Sequence, residues 1–183
     1  MVISTLYKDS CGYVWMGTAT SVERFDGVHL KHYPIYASSE RWKWVNAIIE
    51  TSGNQLWVGT DGGFWQIGQD RVDRIAPDVI RNGVRSIVKD DKDTLYIGSE
   101  TGLHIYKDGK IETVLLENNS FSSANFIVGL HLEGERLWLI TRNGLYSMNL
   151  KDRKPVHYAN NLTEKEALFS YRNITRIDST LYL

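Results

Sequence analysis

The sequence contains very little cysteine, with Cys11 as the only one among 183 residues. A single cysteine cannot form an internal disulfide or a thiolate metal site. Cysteine usage therefore excludes a disulfide-stapled fold and a cysteine-based metal centre, and it gives no information on the redox compartment.

The chain also lacks an excess of charge of either sign. It has 21 basic and 22 acidic residues, a net charge of -1 and a pI near 6.5. Binding to nucleic acid is driven by displacement of counterions and requires clustered positive charge. We therefore expect no nucleic-acid partner.

Long apolar runs are missing as well. No run approaches the roughly 18 apolar residues that span a bilayer, and MVISTLYKDSCGYVW has neither the basic nor the apolar region of a signal peptide. We expect no membrane contact by this segment itself, and any export signal of a parent protein would lie outside it.

A repeated motif is the most informative feature that is present. GYVWMGT (12–18), NQLWVGT (54–60), DTLYIGS (93–99) and ERLWLIT (135–141) superimpose, and STLYL (179–183) begins a fifth copy. Their aromatic residues are separated by 42, 39, 42 and 44 positions. A period near 42 indicates an array of supersecondary units.

Each unit contains four short runs typical of strands. In the second copy these are 45–50, 55–60, 63–67 and 71–75, separated by Gly, Asn and Asp. Four antiparallel strands every 40 residues predict the blades of an all-β fold, a β-propeller. We predict one partial, open propeller over 1–183, with blades at 3–33, 45–75, 84–114 and 127–158 and a fifth beginning at 174–183.

The alignment assigns packing roles to its recurring residues. Apolar residues flank the aromatic position on both faces of the second strand, which predicts that both faces are covered by neighbouring blades. Glycines follow this strand and open the next turn, where crowding or a left-handed backbone favours them. They are Gly17, Gly59 and Gly98, replaced by Ile140 in the fourth copy, and Gly63, Gly102 and Gly144, replaced by Ser21 in the first.

The repeat LWVGT-x-x-G at this period resembles the two-component regulator propeller repeat. The match is carried by 3–33, 45–75, 84–114 and 127–158, which is most of the chain. The resemblance implies a periplasmic sensor domain of a Bacteroides-type hybrid two-component system. Such domains sense oligosaccharides and signal to a histidine kinase, so it also implies a non-catalytic segment of a kinase receptor in signal transduction.

One departure from that family is the number of repeats. Its sensor domains contain many more than the four and a half found here, so we expect a fragment of a longer propeller. An open blade edge is a pairing surface. We therefore expect self-association through open edges, with a homodimer as one way of completing the arc.

The chain contains no recognisable catalytic or metal-binding motif. Its five histidines do not have the spacing of converging metal ligands. Asp26-Gly27 and Asp108-Gly109 fit two-residue hairpin turns, and Asp9 and Asp90 end first strands, where they can accept hydrogen bonds from the next turn. We expect no catalytic residue, no metal and no cofactor.

The candidate binding face is the end of the blades that carries the turns between second and third strands and the crossover loops, which are 34–44, 76–83, 115–126 and 159–173. Sugar recognition uses aromatic faces together with planar polar groups. The two tryptophans near Arg41 match no repeat position, and they either contact ligand or cover the blade junction. The predicted ligand-binding residues are Arg41, Trp42, Trp44, Asp61, Glu100 and Arg142.

Two other functions remain open from the sequence. A protein-interaction scaffold would present these tryptophans in a flat apolar patch. A propeller enzyme, such as a lyase, would need acids, histidines or a metal converging at the axis, and the repeat registers provide none.

Overall fold

The computed structural model describes residues 2–35, 44–68 and 71–158, and the backbone of 175–177 and 180–182. Arg41 and Trp42, most of the first crossover loop and all of the last one lie outside these residues. The described chain is all-β, with one short 3-10 helix at Ser123–Asn125.

Each of the four repeats forms one four-stranded antiparallel sheet whose strands follow chain order. The first sheet contains β1 (Thr5–Lys8), β2 (Val14–Gly17), β3 (Ser21–Phe25) and β4 (Leu30–Pro34). The second contains β5 (Val45–Thr51), β6 (Gln55–Thr60), β7 (Gly63–Ile67) and β8 (Val72–Ile75). The third contains β9 (Val84–Lys89), β10 (Leu95–Ser99), β11 (Gly102–Lys107) and β12 (Lys110–Val114). The fourth contains β13 (Ile127–Glu133), β14 (Arg136–Thr141), β15 (Gly144–Asn149) and β16 (Pro155–Tyr158), and β17 (Thr175–Ile177) pairs with β18 (Thr180–Tyr182). The predicted all-β fold of four-stranded antiparallel blades is confirmed.

The chain divides into two compact units, Met1–Ile87 and Val88–Leu183, with the boundary inside β9. The first has a core that includes Trp15, Val45, Val58 and Trp65. The second has a core of its own, which includes Tyr96, Leu103, Ile127, Leu137, Leu139 and Tyr146. The single domain over 1–183 stays a prediction.

Both faces of the inner strands are covered, as the repeat alignment predicted. Every residue from Leu56 to Thr60, from Leu95 to Ser99 and from Leu137 to Thr141 is buried. The second strand of the first sheet, β2, differs because Val14 and Met16 are only partly buried. One face of that sheet is therefore less covered than its counterparts.

The aromatic residue of the second strand is anchored at the end of the first strand in all four sheets. Its polar atom donates to the side chain there: Trp15 to Asp9 at 2.7 Å, Trp57 to Thr51 at 2.9 Å, Tyr96 to Asp90 at 3.4 Å and Trp138 to Glu133 at 3.3 Å. The carboxylates of Asp9 and Asp90 also accept the backbone N–H of Tyr13 and Thr94. The predicted turn role of both aspartates is confirmed.

The two Asp-Gly turns differ from each other. Asp108 and Gly109 both have positive φ, +48° and +77°, which is the two-residue turn that the sequence predicted. The same prediction for Asp26-Gly27 is wrong. There Phe25 pairs with Leu30, which leaves a four-residue loop, because the Asp26 carboxylate accepts the N–H groups of residues 28 and 29 and stabilises the wider turn.

No helix of the described residues is long and apolar enough to cross a membrane.

Candidate ligand-binding site

The turns that carry three of the predicted binding residues are built alike. A hydroxyl at the end of the second strand accepts the N–H two residues later and donates to the carbonyl three residues later. These hydroxyls belong to Thr18, Thr60, Ser99 and Thr141. Such local hydrogen bonds fix the backbone of a turn. The residue directly after the hydroxyl, which is Asp61, Glu100 or Arg142 in the last three turns, is therefore held in place.

In the first unit, Asp61 and Trp44 are brought together. The backbone N–H of Asp61 donates to the carbonyl of Trp44 at 3.0 Å. The Asp61 carboxylate accepts hydrogen bonds from Asn46 at 2.9 Å and Arg85 at 2.8 Å. Asn46 also donates to the carbonyl of Val84 at 2.9 Å. Asp61 thus ties β5 to the start of β9 through one carboxylate oxygen.

In the second unit, Glu100 is half-buried in its turn and Arg142 is exposed. The guanidinium carbon of Arg142 lies 3.6 Å from the centre of the Phe126 ring, which is a cation–π contact. The backbone N–H of Arg142 donates to the carbonyl of Phe126 at 3.1 Å. The turn between β14 and β15 is thereby fastened to the crossover loop 115–126.

A cluster of polar and aromatic side chains surrounds that turn, and sequence reasoning did not single it out. We call Glu117, Ser122, Asn143, Tyr146 and His157 the crossover cluster. Ser122 donates to one oxygen of Glu117 at 2.6 Å, and the Tyr146 hydroxyl donates to the other at 3.1 Å. The Asn143 amide donates to the Tyr146 hydroxyl at 3.0 Å. A carboxylate, an amide and a phenol therefore converge at one end of the fourth sheet.

The rings of the crossover cluster are stacked. Tyr146 and His157 lie 4.3 Å apart between ring centres with an angle of 14°. The Nε2 atom of His157 lies 3.1 Å from the carbonyl oxygen of Asn143, so in this contact Nε2 carries the proton. The hydrogen bond to Asn143 holds the Nε2 edge of the imidazole ring, and stacking on Tyr146 sets the orientation of the ring plane.

The loop that supplies Glu117 is held by one buried amide. The Asn125 side chain accepts the N–H groups of Leu116 at 2.7 Å and Glu117 at 3.3 Å. It donates to the carbonyls of Glu117 at 3.0 Å and Asn119 at 2.8 Å. Asn125 is fully buried, so these bonds are shielded from water. A loop held in this way presents Phe121, whose surface is 95% exposed.

The charge state of the crossover cluster follows from its contacts. Hydrogen bonds from Ser122 and Tyr146 lower the pKa of Glu117, and the nearby His157 adds to the effect. Burial raises the pKa of Tyr146, and its hydrogen bond to Glu117 raises it further. At neutral pH the cluster therefore presents an ionised carboxylate beside a neutral phenol.

A cleft of about 570 Å³ lies at the end of the third sheet that carries the turn between β11 and β12. Its walls include Lys107, Lys110, Glu112 and Arg153. The Arg153 guanidinium is paired with Glu112 at 2.5 Å, so part of its positive charge is already compensated. The cleft has mixed charge and is separate from the crossover cluster. Among the described residues, no group of three or more His, Cys, Asp or Glu side chains could hold a metal ion.

Comparisons with known proteins give matches in structure. No protein-family model and no curated protein sequence matches the chain. Two structures of the extracellular domain of BT4673 from B. thetaiotaomicron match it. One, described as a one component system, has a TM-score of 0.68 and 22% identity over 87% of this chain and 23% of that one. The other, described as a hybrid two component system, has a TM-score of 0.64 and 19% identity over 88% and 22%.

The chain has a β-propeller fold. Virginiamycin B lyase from Staphylococcus aureus also matches, with a TM-score of 0.67 and 16% identity over 87% of this chain and 56% of that one. An extracellular domain of a hybrid two component system, the class of protein that the repeat pattern indicated, is thus among the similar structures. At these identities the likeness establishes the fold, and this chain spans less than a quarter of the BT4673 domain.

Part of the crossover cluster could have been found from the sequence. Tyr146 is the fourth-copy counterpart of Trp65 and His104, a position that varies between copies. Variation at a fixed repeat register is a signal that packing alone does not dictate the residue. Glu117 and Phe121 lie in a crossover loop without a repeat register, so the alignment could not rank them.

Proposed function

We propose that this chain is a non-catalytic, ligand-sensing segment of a periplasmic β-propeller sensor in a two-component receptor, and that its ligand is an oligosaccharide. The observation that carries the proposal is the crossover cluster beside Phe121 and Arg142. Phe121 supplies an exposed aromatic face, and the cluster supplies the ionised carboxylate of Glu117 and the amide of Asn143. Pyranose rings offer an apolar face and a rim of hydroxyl groups, and these are the complementary groups.

The ligand would meet groups that are already positioned. Asn125 holds the loop and the stacked Tyr146–His157 pair holds the turn, so binding would cost little ordering of the protein. Phe121 would lie against the apolar face of a sugar ring. Glu117 and Asn143 would exchange hydrogen bonds with its hydroxyl groups.

The proposal assigns no ligand contact to the other predicted binding residues. Glu100 is half-buried in the turn before β11, and Asp61 already accepts two hydrogen bonds within the first unit. Direct ligand contact by Asp61, Glu100, Trp44, Arg41 or Trp42 stays a prediction.

The binding part of the proposal can be tested by NMR titration of the ¹⁵N-labelled chain with cellohexaose and maltohexaose. We expect shift changes concentrated in residues 117–126 and 141–146. Phe121→Ala and Glu117→Gln should each raise the Kd by about tenfold, the equivalent of about 1.4 kcal/mol. Phe25→Ala is the control, because Phe25 is an exposed aromatic in the first unit. Absence of binding at millimolar sugar, or equal weakening by all three changes, would refute the proposal.

The receptor part is tested by the reading frame around this sequence. We expect it to encode further repeats, an apolar segment of about 20 residues and kinase elements. A frame that continues into an unrelated cytosolic enzyme would contradict a sensor.

A protein-interaction scaffold is the second candidate, and the exposure of Phe121 favours it. An exposed phenylalanine on a held loop can anchor a protein partner without any need for the polar groups beside it. In that case Phe121→Ala would abolish capture of the partner, whereas Glu117→Gln would leave it unchanged.

A further inference from the structure

Neighbouring blades are joined by a β-branched residue that fits against a glycine. A Cβ atom added to Gly17 would lie 2.6 Å from the Val45 side chain. One added to Gly59 would lie 2.5 Å from Val84. One added to Gly98 would lie 2.6 Å from Ile127, so the same contact occurs within each unit. We call the glycine the socket and the β-branched residue the knob.

Ile3 stands at the knob position of the first blade. It precedes Trp15 by 12 residues, as Val45 precedes Trp57. The knobs of the later blades, Val45, Val84 and Ile127, are fully buried, whereas Ile3 is 43% exposed. The first blade therefore has a knob whose surface is open.

The sheet around this knob shares four apolar positions with the covered face of the second blade. Leu6 pairs with Met16, as Ile48 pairs with Val58. Phe25 lies between Val14 and Leu30 in the register, as Ile67 lies between Leu56 and Val72.

The two faces differ most in exposure, and in one buried position, where Glu23, which pairs with Met16, replaces Trp65, which pairs with Val58. Ile48, Leu56, Val58 and Ile67 are buried in the first unit's core. Leu6 is 64% exposed and Leu30 is 52% exposed. An apolar sheet face with this exposure is a binding surface for another protein element.

We propose that the face formed by Ile3, Leu6, Met16, Phe25 and Leu30 docks a four-stranded blade of the same repeat class, with a free glycine socket for Ile3. The next interface supports this assignment, because there a blade covers the same knob position, the same register and the equivalent apolar positions. The fourth blade of a second copy does not fit this description. Its socket position is Ile140, whose side chain fills the space that a knob needs. The proposal does not depend on the ligand-binding function.

To test the proposal, such a blade is added to the chain, and burial of residue 3 is measured by its chemical reactivity. A second copy of residues 44–82 is placed before Val2, so that Ile3 follows it where Val84 follows the original. Cys11, which is exposed, is replaced by serine, and Ile3→Cys then carries the only thiol. We expect iodoacetamide to modify residue 3 at least about tenfold more slowly in the extended chain than in the unextended chain.

Two further variants make the result specific. Gly59→Val within the copied segment fills the socket and should restore the fast modification of residue 3. Val28→Cys reports on an exposed loop and should react equally fast in both chains. Unchanged reactivity of residue 3 on extension, or protection that survives the filled socket, would overturn the proposal.

Sedimentation of the unextended chain identifies the alternative occupant. A monomer over the micromolar range, or a dimer through an open blade edge that persists in Leu6→Asp, is the result expected if this face is reserved for such a blade. A dimer that Leu6→Asp converts to a monomer would instead assign this face to a second copy, and the glycine-bearing blade would be the wrong partner.

Discussion

Gly59 and Val84 are in van der Waals contact only because residue 59 has no side chain. An added Cβ would lie 2.5 Å from Cγ1 of Val84 and 3.3 Å from the Ile87 side chain. The first separation is shorter than carbon–carbon contacts in a packed core, so Val84 cannot stay where it is, and the second is tight enough that Ile87 must shift by a few tenths of an ångström. The glycine therefore sets how closely β6 approaches the start of β9.

Replacing Gly59 by alanine should reduce the free energy of unfolding by about 1–3 kcal/mol, because the methyl group overpacks the contact with Val84. Urea unfolding measures the loss. Gly68→Ala is the matched control, since an added Cβ there is 3.6 Å from the nearest atom, and its cost should stay within about 0.5 kcal/mol.

A double-mutant cycle separates overpacking from general damage. Val84→Ala makes room for the new methyl group, so Gly59→Ala should cost at least about 1 kcal/mol less in that background. Equal costs in the two backgrounds would mean that Val84 is not the residue against which the methyl group packs.

Replacing Asn125 by alanine should destabilise the chain by about 3 kcal/mol, because four hydrogen bonds to the loop are lost and the buried backbone groups have no new partner. Hydrogen exchange at Leu116 and Glu117, whose N–H groups bond to Asn125, should accelerate. Asn118→Ala is the control because Asn118 is exposed in the same loop. If the amides of Leu116 and Glu117 exchange at the same rate in the two variants, the loop does not depend on Asn125.

The repeat predicted the sheets better than it predicted the site. Residues that recur, such as Trp57 and Gly59, are fixed by contacts common to all blades, so comparing copies was enough to assign them. Phe121 and Asn125 belong to a loop that occurs once, and their roles depend on where the chain folds back. Asp26-Gly27 was predicted incorrectly because its side-chain hydrogen bonds stabilise a longer turn than its sequence suggests.

His104 should make stability fall as pH is lowered from about 6.5 to about 4. Burial lowers the pKa of His104 to about 4 in the folded chain, from 6.5 when it is unfolded. Across this window the unfolded state binds a proton that the folded state does not. The contribution of His104 to the free energy of unfolding is therefore fully present above pH 6.5 and is lost as the pH falls toward 4. The change amounts to about 3 kcal/mol at 1.36 kcal/mol for each pKa unit.

Urea unfolding of the parent and of His104→Gln at several pH values isolates this contribution. The difference in unfolding free energy between the two chains should shrink by about 2–3 kcal/mol between pH 7 and pH 4.5. His29→Gln is the control, because the His29 side chain is 82% exposed. A difference that stays constant with pH would show that His104 titrates alike in both states.

Thr60 connects the turn before β7 to the core through its hydroxyl group. This oxygen accepts hydrogen bonds from the N–H of Gly62 and the indole of Trp65, both at 3.0 Å, in a fully buried position. Thr60→Val keeps the shape and leaves two buried donors without an acceptor, so it should cost about 2–4 kcal/mol.

Thr60→Ser keeps the hydroxyl and removes only the methyl group, so it should cost less than Thr60→Val in the same urea titration. Thr20→Val in the first turn is the surface control, because Thr20 is exposed. If valine proved as stable as serine at position 60, packing of the methyl group would outweigh the hydrogen bonds. The shared hydroxyl would then not be what holds these turns, and its recurrence in all four sheets would need another cause.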